Sequence, residues 1–214
     1  MTINLEILDS AYVYDEREIQ ELNTKVLVPK MMTRRRLTRA SKMAIYLANE
    51  LSFTEGRVIY GSSYGELGAT ANILDSIQKR ESISPTHFQN SVYNTAIAYL
   101  SMLQKNQEEI MTLSCGDRTS HSILKMAGVK ALDRDTLLLM VTESLNIPNI
   151  DELNRCQVAL ECGVALKVKL THEPATIDIE NFTDMGHVPN SIKAMFSVAK
   201  QFKANQKNII EVSL

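Results

Sequence analysis

Arg57-Val58-Ile59-Tyr60, followed at once by Gly61-Ser62-Ser63-Tyr64-Gly65-Glu66-Leu67-Gly68, reads as a short apolar strand running into a glycine-bearing turn. Leu67, Leu74 and Ile77 then recur on one face at helical spacing. Strand, turn and helix in that order make an α/β unit. Upstream, Leu37, Ala40, Ala44, Leu47, Ala48 and Leu51 mark an amphipathic helix over residues 33–51, with Thr33 as its N-cap and Gly56 soon after its last turn. Downstream, Ser84-Pro85 opens another helical stretch, Pro suiting the first helical position, and Val92, Ala96, Leu100 and Leu103 carry its stripe onward. Residues 109–115, EIMTLSC, read as a strand, and 117–127 as a helix started by Asp117. Leu137-Leu138-Leu139-Met140-Val141 is a continuous apolar run of the kind found in central strands.

Further along, Val158, Leu160, Cys162, Val164, Leu166, Val168 and Leu170 alternate with Gln157, Ala159, Glu161, Gly163, Ala165, Lys167 and Lys169. A period of two predicts one face on a core and the other nearer solvent, with Gly163 as a site for a bulge or bend. After Thr171 the chain turns loop-like, then 190–204 is an amphipathic helix and Ile209–Val212 a terminal strand. There is no internal repeat and no low-complexity tract.

With 214 residues the chain is long enough for one domain with an appended subdomain and a substantial core. Net charge is −2, so any affinity for polyanions has to be local. The absence of Trp and an aromatic content of only 6% weigh against base-stacking platforms, and no nucleic-acid partner is expected. Cys115, Cys156 and Cys162 have neither the number nor the spacing of a disulfide framework or zinc site. The opening MTINLEILDS carries acids early and lacks the apolar segment of a signal peptide. No stretch approaches the roughly 18 apolar residues of a membrane span, and a cytoplasmic location is expected.

Gly61–Gly68 lies where phosphate loops occur, but it lacks their Lys-Ser/Thr and does not fit GxGxxG, so it reads as a tight turn between strand and helix. Lys30, Arg34, Arg35, Arg36, Arg39 and Lys42 form a run without an acid among 13 positions. Such a run is either a solvated helix start or a docking patch for an acidic partner or phosphate. Cations at a helix N-terminus oppose the helix dipole, which favours a purpose other than helix stability. Cys115 ends a strand before a helix, where nucleophiles are presented, although most cysteines are inert core thiols. His121 shares a predicted helix face with Asp117, whereas His87, His172 and His187 are scattered without metal-ligand spacing. No metal or cofactor is expected.

The succession RRRLTRASKMAIYLANEL, RVIYGSSYGELGATANILDSI and ISPTHFQNSVYNTAIAYLSM resembles the β-ketoacyl synthase-like family of short N-terminal domains. More narrowly it resembles chain-length-factor subunits of aryl polyene and dialkylresorcinol pathways. The likeness covers residues 30–170, most specifically Ser84-Pro85-Thr86, Phe88, Asn90-Ser91-Val92 and Asn94. It implies an α/β, thiolase-like fold, N-terminal half only: a mixed sheet with helices on both faces over 1–172, extended by the loop, helix and strand of 173–214. The missing half would leave a large apolar face for another subunit.

In active ketosynthases the strand ends at a nucleophilic Cys on a helix N-terminus. Counted back from Met126-Ala127, that position falls on Asp117 rather than Cys115, and Asp cannot form the acyl thioester. The His pair, or His and Asn, that drives condensation belongs to the second half. The resemblance therefore implies a non-catalytic subunit paired with a catalytic ketosynthase and served by an acyl carrier protein. The interface is expected at Glu109, Ile110, Met111, Thr112, Leu113 and Ser114, with Asn90 and Asn94, and carrier docking at Arg34, Arg35, Arg36 and Arg39. The alternative is a divergent condensing enzyme or acyltransferase using Cys115.

Overall fold

The computed structural model describes residues 1–133, 135–147, 160–180, 188–205 and 208–214. Its strands are β1 (Thr2–Asp15), β2 (Arg57–Gly61), β3 (Ile110–Leu113), β4 (Leu137–Ser144), β5 (Glu161–Thr171) and β6 (Ile209–Ser213). They form one mixed sheet in the order β3-β2-β4-β5-β1-β6. β2 pairs in parallel with β3 and β4, while β5 is antiparallel to β4 and β1, and β6 to β1. The described helices are α1 (Thr24–Leu27), α2 (Met31–Arg34), α3 (Arg39–Glu50), α4 (Leu67–Lys79), α5 (Pro85–Asn90), α6 (Thr95–Gln104), α7 (Thr119–Lys130) and α8 (Asn190–Asn205). Parallel neighbours need long crossovers, which α4 to α6 supply between β2 and β3, and α7 between β3 and β4.

Both faces of the sheet are buried. In β4, Leu137, Leu139 and Val141 join one core with Ile123 and Leu124 of α7 and Ile192 and Met195 of α8. Leu138 and Met140 join the other with Ala44 and Leu47 of α3 and Ile97 and Leu100 of α6. This double burial explains the unbroken apolar run of β4. It also corrects the expectation for β5: Cys162, Val164, Leu166 and Val168 do face one core, but Glu161 and Ala165 on the opposite face are buried as well. Positions 157–159 of the predicted strand lie outside the described residues. Gly163 is no bulge; it stays in register with Val13 and Thr142 and admits Leu47, whose Cδ1 would lie 2.9 Å from an added Cβ.

The helix predicted over 33–51 is split. α2 ends at Arg34, and the longer α3 begins after Thr38, whose hydroxyl accepts from the Ser41 N–H at 3.1 Å. Thr38, not Thr33, is the cap. The stripe drawn from Ser84 to Leu103 is split too, into α5 and α6, because Asn90 is drawn inward. Asn90 Nδ2 donates to the Arg36 carbonyl at 3.5 Å, and Tyr99 Oη donates to Asn90 Oδ1 at 3.3 Å. Leu74 and Ile77, read from the sequence as one face of a helix, are 61% and 57% exposed, and no residue of α4 is buried.

The segment 173–214 is built into the same sheet and core, through β6 and through α8, which packs on β5, β1, β4 and α7. The apolar face that a half fold was expected to leave open is thereby covered by α7 and α8. One apolar surface that stays open lies over α4 and α5, where Ile83, Phe88, Val92 and Tyr93 are exposed beside Leu74 and Ile77.

Candidate functional site

β3, β2 and β4 deliver their C-terminal ends to one edge of the sheet, where open α/β sheets place their sites. Gly61 ends β2 against α7, and a Cβ there would collide with Ile123 Cδ1 and lie 2.7 Å from Thr119 Cγ2. The turn that follows encloses the fully buried Glu143 of β4. Its carboxylate accepts from Ser62 Oγ at 2.7 Å, Ser63 N–H at 2.7 Å, Tyr64 N–H at 3.2 Å and Ser191 Oγ of α8 at 2.8 Å. Burial pushes the Glu143 carboxyl above its usual range, and these four donors act in the opposite direction. The amides that a phosphate loop would turn toward a ligand are spent on the protein's own carboxylate, in line with the reading as a tight turn.

Beyond β3, Ser114, Cys115, Gly116, Asp117 and Arg118 are all exposed. The Cys115 N–H donates to Thr119 Oγ1 at 3.1 Å, and that hydroxyl donates to the Gly116 carbonyl at 2.7 Å. Gly116–Arg118 forms a 3-10 turn ahead of α7. Asp117 does not start the helix as predicted; Arg118 holds the N-cap position, without a side-chain cap. The Asp117 carboxylate instead accepts from Asn190 Nδ2 at 3.3 Å. His121 Nε2 lies 3.0 Å from Glu180 Oε1. Asp117 and Cys115 thus share one turn, with α8 meeting it through Asn190. Cys162 is deeply buried, which pushes its thiol well up and leaves it a core residue. Cys156 and His187 lie outside the described residues.

The basic run divides. Arg39, expected at a docking surface, turns inward: it donates to both carboxylate oxygens of fully buried Glu161 and to the Ile19 carbonyl at 2.8 Å, and lies 2.9 Å from Glu18. A buried carboxylate needs such a partner, and this one withdraws Arg39 from any docking role. Arg34 donates to the Val28 and Pro29 carbonyls at 2.9 and 3.1 Å, whereas Arg35 and Arg36 are exposed. Near Arg39, a cleft of about 210 Å³ is lined by Thr38, Glu66, Asn72, His87 and Asn90. Burial pushes the Glu66 carboxyl up to about 7, against the hydroxyl of Thr38, which donates to it at 2.7 Å.

Of the expected interface, Ile110 to Leu113 form β3, a half-buried strand at the sheet's end. Glu109 is tied to Arg57 and Lys130, Asn94 is exposed, and Asn90 spends its side chain inside the fold. Sequence reasoning missed Glu66, Glu143, Glu161 and Ser191. One of these had a signal, since Glu143 follows the apolar run of β4, whereas Glu161 sits at an ordinary polar position of the β5 alternation. Among the described residues no group of three or more His, Cys, Asp or Glu could hold a metal, and no helix is long and apolar enough to cross a membrane.

The family model described as β-ketoacyl synthase, N-terminal domain, matches residues 14–211. No curated protein matches the chain by sequence. Among solved structures, a ketosynthase (ApeO) in complex with its chain length factor (ApeC) from Xenorhabdus doucetiae aligns with TM-score 0.63 at 22% identity, over 79% of this chain and 80% of that one. The ishigamide ketosynthase/chain length factor aligns with TM-score 0.56 at 11% identity, over 75% of this chain and 51% of that one. A type II polyketide synthase ketosynthase complexed with its acyl-carrier protein aligns with TM-score 0.55 at 10% identity, over 79% and 59%. At these identities the likeness establishes the thiolase-like ketosynthase fold, and the chain spans only about half the length of the larger relatives.

Proposed function

The chain belongs to the β-ketoacyl synthase family through its N-terminal domain, and from that premise we propose that it is the non-catalytic, chain-length-factor subunit of a heterodimeric ketosynthase. In this reading a catalytic partner supplies the nucleophilic Cys and both His. This chain helps wall the tunnel for the growing acyl chain in aryl polyene-type fatty acid or polyketide synthesis.

The observation that carries the reading is the contrast between the two ends of the sheet. The start of β6 is met by a neighbouring segment, where the Thr176 and Ile177 N–H groups donate to the Ile209 carbonyl at 2.8 and 2.9 Å. Among the described residues β3 pairs only with β2, so the outer hydrogen-bonding edge of Ile110–Leu113 is open. An open edge is a template for another strand, and the exposed apolar side chains of α4 and α5 provide a further surface for a partner to cover. The silent role is supported by Asp117, which stands where the resemblance places the nucleophile and cannot form a thioester. An acidic acyl carrier protein would deliver chains at Arg34, Arg35 and Arg36, without Arg39.

Co-expression with a ketosynthase, followed by co-purification, tests this. Ile110→Pro and Thr112→Pro each remove a donor of the open edge and should abolish co-purification, whereas Arg35→Glu should not. Full co-purification of every proline variant would overturn the pairing.

A further inference from the structure

α2 separates two clefts of different character. One, of about 610 Å³, is bounded by Glu21, Lys25, Arg34, Arg35 and Lys42, and suits the carrier-protein surface described above. The other, of about 470 Å³, is lined chiefly by Lys30, Met32, Arg36, Tyr99, Met102 and Leu103. Its size lies within the roughly 300–1,000 Å³ of small-molecule sites. Met32 and Met102 are 65% and 66% exposed, so two flexible apolar side chains flank the groove without a covering partner. Methionine adapts its shape to chains of variable conformation.

We propose that this groove binds a long-chain amphiphile with a terminal anion, the headgroup held by Lys30 and Arg36 and the chain laid between Met32 and Tyr99, Met102 and Leu103. The charge lies along one wall only. Lys30 and Arg36 come from the segments flanking α2, whereas the α6 wall contributes Tyr99, Met102 and Leu103 and no charge. Among the described residues no salt bridge engages Lys30 or Arg36, unlike Arg39, Arg57 and Lys130. An acidic helix, with carboxylates on both margins, would call for cations on both walls. A bilayer surface would call for protruding apolar groups rather than a groove. One-sided charge with an apolar remainder matches one anionic head and one tail. The proposal does not depend on the subunit reading, because the groove lies on this chain alone.

Isothermal titration of the full chain, or of its co-purified complex, with dodecanoate, dodecyl phosphate and dodecanol below their micelle-forming concentrations is the test. At least one anion should bind at one site, with dodecanol roughly tenfold or more weaker. The tighter anion identifies the headgroup as carboxylate or phosphate. Arg36→Glu and Met102→Asp should each weaken that anion by roughly tenfold or more, while Arg35→Glu, on the other side of α2, should leave it within about twofold. Thermal unfolding of each variant confirms that it is folded. The proposal is overturned by absence of binding for both anions, equal binding of dodecanol, or binding that survives both groove substitutions. It is equally overturned if an acidic amphipathic peptide occupies the groove, with Met102→Asp abolishing its binding, while neither anion binds.

Discussion

Glu66 should make the stability of this chain fall as pH rises, and Glu66→Gln should remove most of that dependence. Its carboxyl is carried by burial from an ordinary 4.5 to about 7, with the Thr38 hydroxyl working against the rise. The folded state therefore holds this proton more tightly than the unfolded chain does. Stability from this source is fully present below about pH 4.5 and declines as the pH climbs toward 7, where the folded group ionises too. At 1.36 kcal/mol per pH unit the full decline is roughly 3 kcal/mol, and water at the cleft mouth reduces it. Gln cannot ionise, yet it keeps an oxygen for Thr38. Urea unfolding of both proteins at pH 5, 6, 7 and 8 measures the difference. Subtracting one curve from the other removes contributions common to both. The variant should gain on the parent by roughly 1–3 kcal/mol between pH 5 and 8. Parallel pH profiles would refute the reasoning, since they would mean that Glu66 ionises as freely in the fold as outside it.

Arg39→Ala leaves the buried Glu161 without its cation and should cost about 3 kcal/mol or more in denaturant unfolding, against under about 0.5 kcal/mol for Arg36→Ala; equal costs would deny the pair its structural role. Cys115→Ala should leave condensation by the heterodimer within a few-fold of the parent. A loss of about 100-fold, on the order of 2.7 kcal/mol in barrier, would favour an acylated Cys115, as would rapid labelling of that thiol by iodoacetamide in the complex. Arg35→Glu should raise the apparent KM for the carrier protein and reduce its salt dependence while the heterodimer stays intact; an unchanged KM would remove the docking role.

The α/β class was legible because β2, β4 and β5 carry their periodicity openly. β1 was not recognised, although Ile3, Leu5 and Ile7 alternate. Its register shifts between Ile7 and Asp9, so Ile3, Leu5 and Ile7 face one core whereas Ala11 and Val13 face the other. A shift of one residue exchanges the two faces, and the period of two fails across it. Its partners β5 and β6 also lie more than 140 residues away, where no local pattern reaches. Helix breaks were hidden for a related reason. Asn90 interrupts a helical stripe through contacts with Arg36 and Tyr99, which exist only once α5 and α6 have packed. At the site, the turn around Cys115 and Asp117 could be located from strand and helix order. The pairing of Arg39 with Glu161 could not, because charge alone does not say which of several arginines will turn inward.

A sheet with one end partly covered and one end free has a consequence for stoichiometry. A partner strand added at β3 would occupy the ladder that, among the described residues, is open along its whole length, and would favour a closed pair over further growth. If the segment at Thr176–Ile177 were displaced from β6, each pair would regain a free end on each side, and a closed pair would become a unit of a fibre.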